Sequence, residues 1–148
     1  MILWVVAVAV FALDRWAKHL VTSSFAPDES RIVIPHLLWF TYVQNTHGAF
    51  GLFGSQPVIL IVLALIVLAL FLFAFRDAVA HSNLARVAIG MITGGAFGNI
   101  ADRLFHPYVV DFIDFKTIWQ FVFNVADSCI TVGVVLLIVL SLRREKAS

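Results

Sequence analysis

Residues 121–140 read FVFNVADSCITVGVVLLIVL, an apolar run interrupted near its start by Asn124 and Asp127. A helix crossing the hydrocarbon core of a bilayer needs roughly 20 mostly apolar residues, so this run, extended to residue 142, is a candidate membrane span. An aspartate at membrane depth costs on the order of 3 kcal/mol and therefore calls for an explanation. Asn124 and Asp127 are related by i,i+3 and Asn124 and Ser128 by i,i+4, so the three share a helix face that must point into a bundle. Asp127 then reads in one of two ways. It is either a helix-packing polar group, favoured near a helix N-terminus by the macrodipole, or a functional carboxylate.

Working outward, three further stretches have the same character: 2–20, 57–75 and 84–105. With 61% hydrophobic residues, 13% charged residues and a mean hydropathy of +0.98 over 148 residues, the chain has more apolar surface than one water-soluble core of this size can bury. The expected fold class is an all-α polytopic membrane protein with four transmembrane helices, organised as a single domain over 1–148. The opening run MILWVVAVAVFAL lacks a basic flank and is followed by Asp14 and Arg15, so it reads as a retained span, not a cleaved leader. A formal net charge of +1 gives no basic surface for nucleic acid. The single cysteine, Cys129, precludes an intrachain disulfide and a thiol metal cage.

Four spans fix which loops share a membrane face. One face receives Asp14, Asp28, Glu29, Asp102, Asp111, Asp114 and Asp127 against Arg15, Lys18, Arg31, Arg103 and Lys116. The other holds Arg76, Arg86, Arg143, Arg144 and Lys146 against Asp77 and Glu145. The basic residues of the second face flank the spans closely, which places both termini in the cytoplasm and the carboxylate-rich face outside. On that outer face, 31–45 is rich in β-branched and aromatic residues and suits a short strand or hairpin, whereas 106–120 mixes apolar and charged residues as an interface-lying segment does.

Span 84–105 ends in GGAFGNIADRL, where Asn99, Asp102 and Arg103 form one polar stripe and Asp102 can pair with a basic residue. Gly90, Gly94 and Gly98 recur every four residues, a small-residue ridge that lets another helix approach closely. Asp111 follows Val109 and Val110 and precedes Phe112 and Ile113, sixteen positions before Asp127. Two carboxylates brought into one site share a proton, the ionised member activating water and the protonated member donating to a carbonyl oxygen. Asp114 competes with Asp111 for this place, and periodicity leaves the choice open. Other nucleophile schemes are weaker. Ser55 lies in FGSQ without a GxS core, Ser128 and Cys129 have no histidine near them in sequence, and His19, His36, His47, His81 and His106 are scattered singly without metal-ligand spacing.

The ordered motifs LDRWAK, YVQNTHGAFG, GGAFGNIADRL, VVDFIDF and FNVADS extend over nearly the whole chain, which resembles the lipoprotein signal peptidase (signal peptidase II) family. The resemblance implies an aspartic endopeptidase of the bacterial inner membrane, removing the signal peptide from diacylglyceryl-modified prolipoproteins immediately before the lipidated cysteine. It implies Asp111 and Asp127 as catalytic residues. Asn45, Asn99, Asp102, Arg103 and Asn124 would be substrate-binding, and Asp14 and Lys18 a structural polar tie. It further implies a small β-cradle at about 31–54 and an interfacial helix at about 104–120, with no metal and no cofactor. Membrane lipid, a globomycin-type inhibitor and a monomeric state complete the expected partners. One departure is that His47 stands where the family commonly has glycine, with Gly48 following. Two other classes compete: an ion-coupled transporter or proton relay using Asp102 and Asp127, and a lipid-modifying transferase holding Mg²⁺ on Asp102, Asp111 and Asp127.

Overall fold

The computed structural model describes residues 1–47 and 56–145. In chain order they form α1 (Ile2–Ser24), β1 (Ser30–Ile34), β2 (Leu38–Asn45), α2 (Pro57–Ala74), a short α3 (Arg76–His81), α4 (Asn83–Phe105), β3 (Val109–Asp114), β4 (Val122–Phe123) and α5 (Val125–Glu145). Among the described residues, three helices are long and apolar enough to cross a membrane: Pro57–Ala74, Asn83–Phe105 and Val125–Arg143. At 23 residues α1 has the length as well, but every 18-residue window of it contains Asp14, Arg15 and Lys18.

The bundle is built around α4, and small residues are the reason. A Cβ on Gly90 would lie 2.9 Å from Val6 Cβ and one on Gly94 would lie 2.8 Å from Val10 Cβ, so α1 runs alongside α4 at a distance that side chains would prohibit. The small-residue ridge is thus an α1-binding face. On the other side of α4, a Cβ on Gly95 would meet the Ala126 carbonyl oxygen at 2.5 Å and one on Gly133 the Ala88 carbonyl oxygen at 2.7 Å, which brings α5 equally near. α2 leans on this trio through Leu68 and Phe71, which join Ala85, Ile89, Ile92 and Leu137 in the main apolar core.

A four-stranded antiparallel sheet, ordered β1-β2-β3-β4, covers one end of the bundle. Val43 pairs with Asp111 and Ile113 with Phe123. Val21 of α1 packs with Tyr42, Val110 and Phe112 in a second apolar cluster that anchors the sheet.

Two expectations need correction. The segment 104–120 contains no interfacial helix: α4 ends at Phe105, Pro107 follows its cap, and Val109–Asp114 is a strand. Helix is disfavoured for the residue before proline, and a run of Val109, Val110 and Ile113 fits the pleated surface offered by β2. The last span also starts later than residue 121, because Val122–Phe123 forms β4 and Asn124 caps α5. Asp127 therefore lies in the first turn of α5. Of the expected cradle, β1 and β2 account for 30–34 and 38–45, while its 48–54 part, like Ser55, lies outside the described residues.

Candidate functional site

Asn124 organises the site because of where it stands. It precedes α5 and makes a reciprocal cap: its Oδ1 accepts the Asp127 N–H at 2.8 Å, and Asp127 Oδ2 accepts the Asn124 N–H at 3.3 Å. Both orphan donors are satisfied in the manner of a capping box, with Asp in place of the usual Glu. The same Asn124 then uses its amide nitrogen outward, donating to Asp111 Oδ1 at 2.7 Å and to Asn99 Oδ1 at 3.1 Å. One residue thus touches both carboxylates.

Asp111 reaches this point from β3. Successive strand side chains face opposite ways. Val109 and Asp111 therefore line the cleft while Val110 and Phe112 enter the apolar cluster below the sheet. Asp111 Oδ2 accepts from Asn45 Nδ2 of β2 at 2.8 Å. Asp114, three positions on, faces away and accepts from Thr41 Oγ1 at 2.6 Å, with Lys116 Nζ at 3.8 Å. The strand geometry thereby separates two aspartates that the sequence left as alternatives. Burial, reinforced by the charge of Asp127, pushes the Asp111 carboxyl up to about 7.

Asp127 Oδ1 accepts from Asn99 Nδ2 of α4 at 2.7 Å. Behind Asn99 lies a buried ion cluster. Lys18 Nζ is 2.8 Å from Asp14 Oδ2 and 2.8 Å from Asp102 Oδ2, and donates to Asn99 Oδ1 at 3.0 Å. Asp102 also pairs with Arg15 and accepts the Val110 N–H at 3.2 Å, tying α4 to β3. Asp14 Oδ1 accepts the Ala126 N–H at 2.9 Å, so α1 satisfies another orphan donor of α5. Arg103 lines the cleft and donates to the Asn99 carbonyl oxygen at 3.3 Å.

The nine residues singled out from sequence fall into two layers: Asn45, Asn99, Arg103, Asp111 and Asp127 line the cleft, with Asn124 bridging, while Asp102, Asp14 and Lys18 lie behind. Arg15 was missed, because a charge next to Asp14 in a helix end looks solvated until its partner from α4 is known. The apolar cleft wall of Trp119, Phe121 and Ile130 was also missed. The Asn124-x-x-Asp127 capping pattern was the available signal for the true start of α5. Among the described residues, no three His, Cys, Asp or Glu side chains are grouped to hold a metal ion.

The cleft has a volume of about 260 Å³, and a second, apolar cleft of about 290 Å³ runs between α2, α4 and α5. Asn99, Arg103, Asp127 and Ile130 line both, so the two meet at the carboxylate.

Apolar helices packed around a capped carboxylate pair define a membrane-embedded protein with a polar site at one end of its bundle. The family model described as signal peptidase (SPase) II matches residues 6–143, and the chain belongs to that peptidase family. A lipoprotein signal peptidase of Desulfitobacterium hafniense is 44% identical over 146 residues, covering 99% of this chain and 96% of the relative. One from Fusobacterium nucleatum is 46% identical over 128 residues, covering 86% and 78%. Among solved structures, a bacterial membrane enzyme at 2.3 Å resolution matches with a TM-score of 0.88 at 30% identity, over 97% of this chain and 89% of that one. The transporter reading finds no support in these relatives.

Proposed function

We propose that this chain is an aspartic endopeptidase that removes the signal peptide from diacylglyceryl-modified prolipoproteins immediately before the lipidated cysteine, with Asp111 and Asp127 as its catalytic pair. The observation that carries the reading is the bridging of the two carboxylates through Asn124 at the junction of two clefts. One carboxylate, ionised, takes a proton from a water as that water attacks the scissile carbonyl; the other, protonated, donates to the carbonyl oxygen. Collapse of the tetrahedral intermediate returns a proton to the leaving amine. Asn45 and Arg103 line the cleft where substrate backbone would be held. The apolar cleft beside Leu60, Leu63 and Ala64 of α2 suits a signal segment arriving laterally from the bilayer.

In this reading 1–148 is one domain with four spans, α1 being the fourth. Its three charges do not forbid insertion, because Asp14 and Lys18 are fully buried and paired, and Arg15 and Lys18 both pair with Asp102. The termini are cytoplasmic, the pair lies at the outer face of the bacterial inner membrane, and the protein acts as a monomer without a metal. A globomycin-type inhibitor would compete with substrate.

The test is cleavage of a lipidated prolipoprotein by the purified protein in excess chelator. D111N and D127N should each lower the rate by at least about 100-fold while remaining folded. Full activity in either variant removes it from the pair, and dependence on added metal favours a different mechanism. Reporters fused at Asp77 and Ser148 should map to the cytoplasm; an outside location would put the carboxylates on the wrong face.

A further inference from the structure

Every side-chain amide in contact with the carboxylate pair has its oxygen already engaged by a donor. Asn45 Oδ1 accepts the His47 N–H at 3.1 Å, and Asn124 Oδ1 accepts the Asp127 N–H at 2.8 Å. Asn99 Oδ1 accepts from Lys18 Nζ at 3.0 Å and from Asn124 Nδ2 at 3.1 Å. An amide whose oxygen is held by a donor must turn its NH₂ the other way. The NH₂ groups of Asn45 and Asn124 accordingly meet Asp111, and that of Asn99 meets Asp127. Two of these locks are backbone N–H groups that no side-chain change removes. The third is shared between the Asn124 NH₂ and a lysine from another helix, the one charged donor of the set.

The alternative state of Asn99 shows what that lysine does. With the amide reversed, Asn99 Oδ1 would face Asp127 Oδ1, two acceptors in contact, a state tolerated when a proton lies between them. Lys18 and the Asn124 NH₂ both face the Asn99 oxygen and oppose this, since reversal would point NH₂ at a second NH₂ and, more costly, at an ammonium. The charged groups packed around this point are Asp14, Arg15 and Lys18 from α1, Asp102 and Arg103 from α4, Asp111 from β3 and Asp127 from α5. Lys18 acts on the pair by its charge, which opposes the upward shift of the Asp111 carboxyl, while Asp14 and Asp102 carry the opposite charge beside it. It acts also through its directional hydrogen bond to Asn99, which a charge-balanced substitution isolates.

We propose that Lys18 is a positioning residue for the peptidase reaction, acting through Asn99: held by Asp14 and Asp102, it locks the Asn99 amide so that Nδ2 stays on Asp127 Oδ1 and that carboxylate remains an acceptor able to ionise. This inference rests on the proposed peptidase activity.

The test uses the charge-balanced double variant K18M/D14N, which removes one positive and one negative charge together. Asn at position 14 can still accept the Ala126 N–H, and Asp102 keeps Arg15 and the Val110 N–H. With a lipidated prolipoprotein substrate, the acidic limb of the kcat profile should move upward by about one pH unit, a roughly tenfold loss below the limb, with KM changed by less than about twofold. In an N99A background the same two substitutions should add no further shift. K18L/D14N, which likewise removes the donor and keeps the charge balance, should shift the limb in the same direction and serves if the first variant does not accumulate in folded form. An unshifted limb in either folded variant overturns the inference, as does an equal shift on the N99A background, which would mean action by charge alone. Cleavage by the unaltered protein is read in the same assay: if it cleaves and the limb does not move, the role of Lys18 falls alone. If it does not cleave, the peptidase reading falls with it.

Discussion

α2 and α4 are helices of similar length that solve opposite problems. α2, without an ionisable residue, is the more apolar, yet 6% of it is buried inside the protein against 56% of the α4 window. In water that order would be reversed. In lipid, an all-apolar surface is a good outer surface, and the centre of the bundle goes to the helix whose glycines let neighbours approach and whose polar end finds partners. Hydropathy therefore marks α2 as lipid-facing, and the polar, glycine-bearing sequence of α4 marks it as central.

The largest expected effect that tests this contrast is at the polar end of α4. D102A leaves Lys18 and Arg15 without their shared carboxylate and should lower stability by about 3–5 kcal/mol, read as thermal unfolding in detergent micelles. A loss below about 1 kcal/mol would mean that the cluster contributes no more than a surface pair. G94V forces a branched side chain against Val10 and should cost about 1–3 kcal/mol in the same assay. An unchanged stability would show that α1 can move away freely.

A subtler effect concerns Asp111, whose carboxyl is pushed up to about 7 by burial first and by Asp127 second. A carboxyl raised in the folded state binds more protons folded than unfolded between its two values. Its penalty is absent below about pH 4 and grows as pH rises toward about 7. The stability of the unaltered protein relative to D111N should therefore fall between about pH 4 and about pH 7; a flat difference would mean that Asp111 titrates as an ordinary carboxylate. The smallest effect belongs to α2. I66A, at a half-exposed position, should change stability by less than about 0.5 kcal/mol, and a larger loss would place that face against protein.

Much of the site could be read before any coordinates. A span-length apolar run containing Asp127, a stripe of Asn99, Asp102 and Arg103, and an early Asp14 with Lys18 four positions on all draw attention for the same reason: each puts a polar group where hydrocarbon would penalise it. The order of motifs placed Asn45 and Asn124 beside them. The choice between Asp111 and Asp114 was not legible, because it depends on whether 109–114 is helical. In a helix, residues three apart share a face; in a strand they oppose each other. Local sequence, mixed in polarity and flanked by Pro107, suits either, and pairing with β2 decides for the strand. The start of α5 was misplaced for a related reason: apolar residues 121–123 continue the hydropathy of the span, and only the Asn124 cap and the β3–β4 pairing end it.

Arg15 and the cleft wall belong to the same class of late knowledge. Nothing in a helical stretch announces that a neighbouring helix will bring Asp102 to Arg15, or that Trp119 and Phe121 will line one cleft with Asp127. By itself the sequence determined that the chain partitions into a membrane, which segments are apolar enough to enter it, and which residues are too costly there to be incidental. Those are properties of composition and period, fixed by transfer free energies that each residue carries with it. Tertiary structure decided which carboxylate meets which, which amide oxygen is locked by which donor, and where two clefts join. Those depend on distances between residues up to 112 positions apart, as between Asp14 and Ala126, and no local preference specifies them.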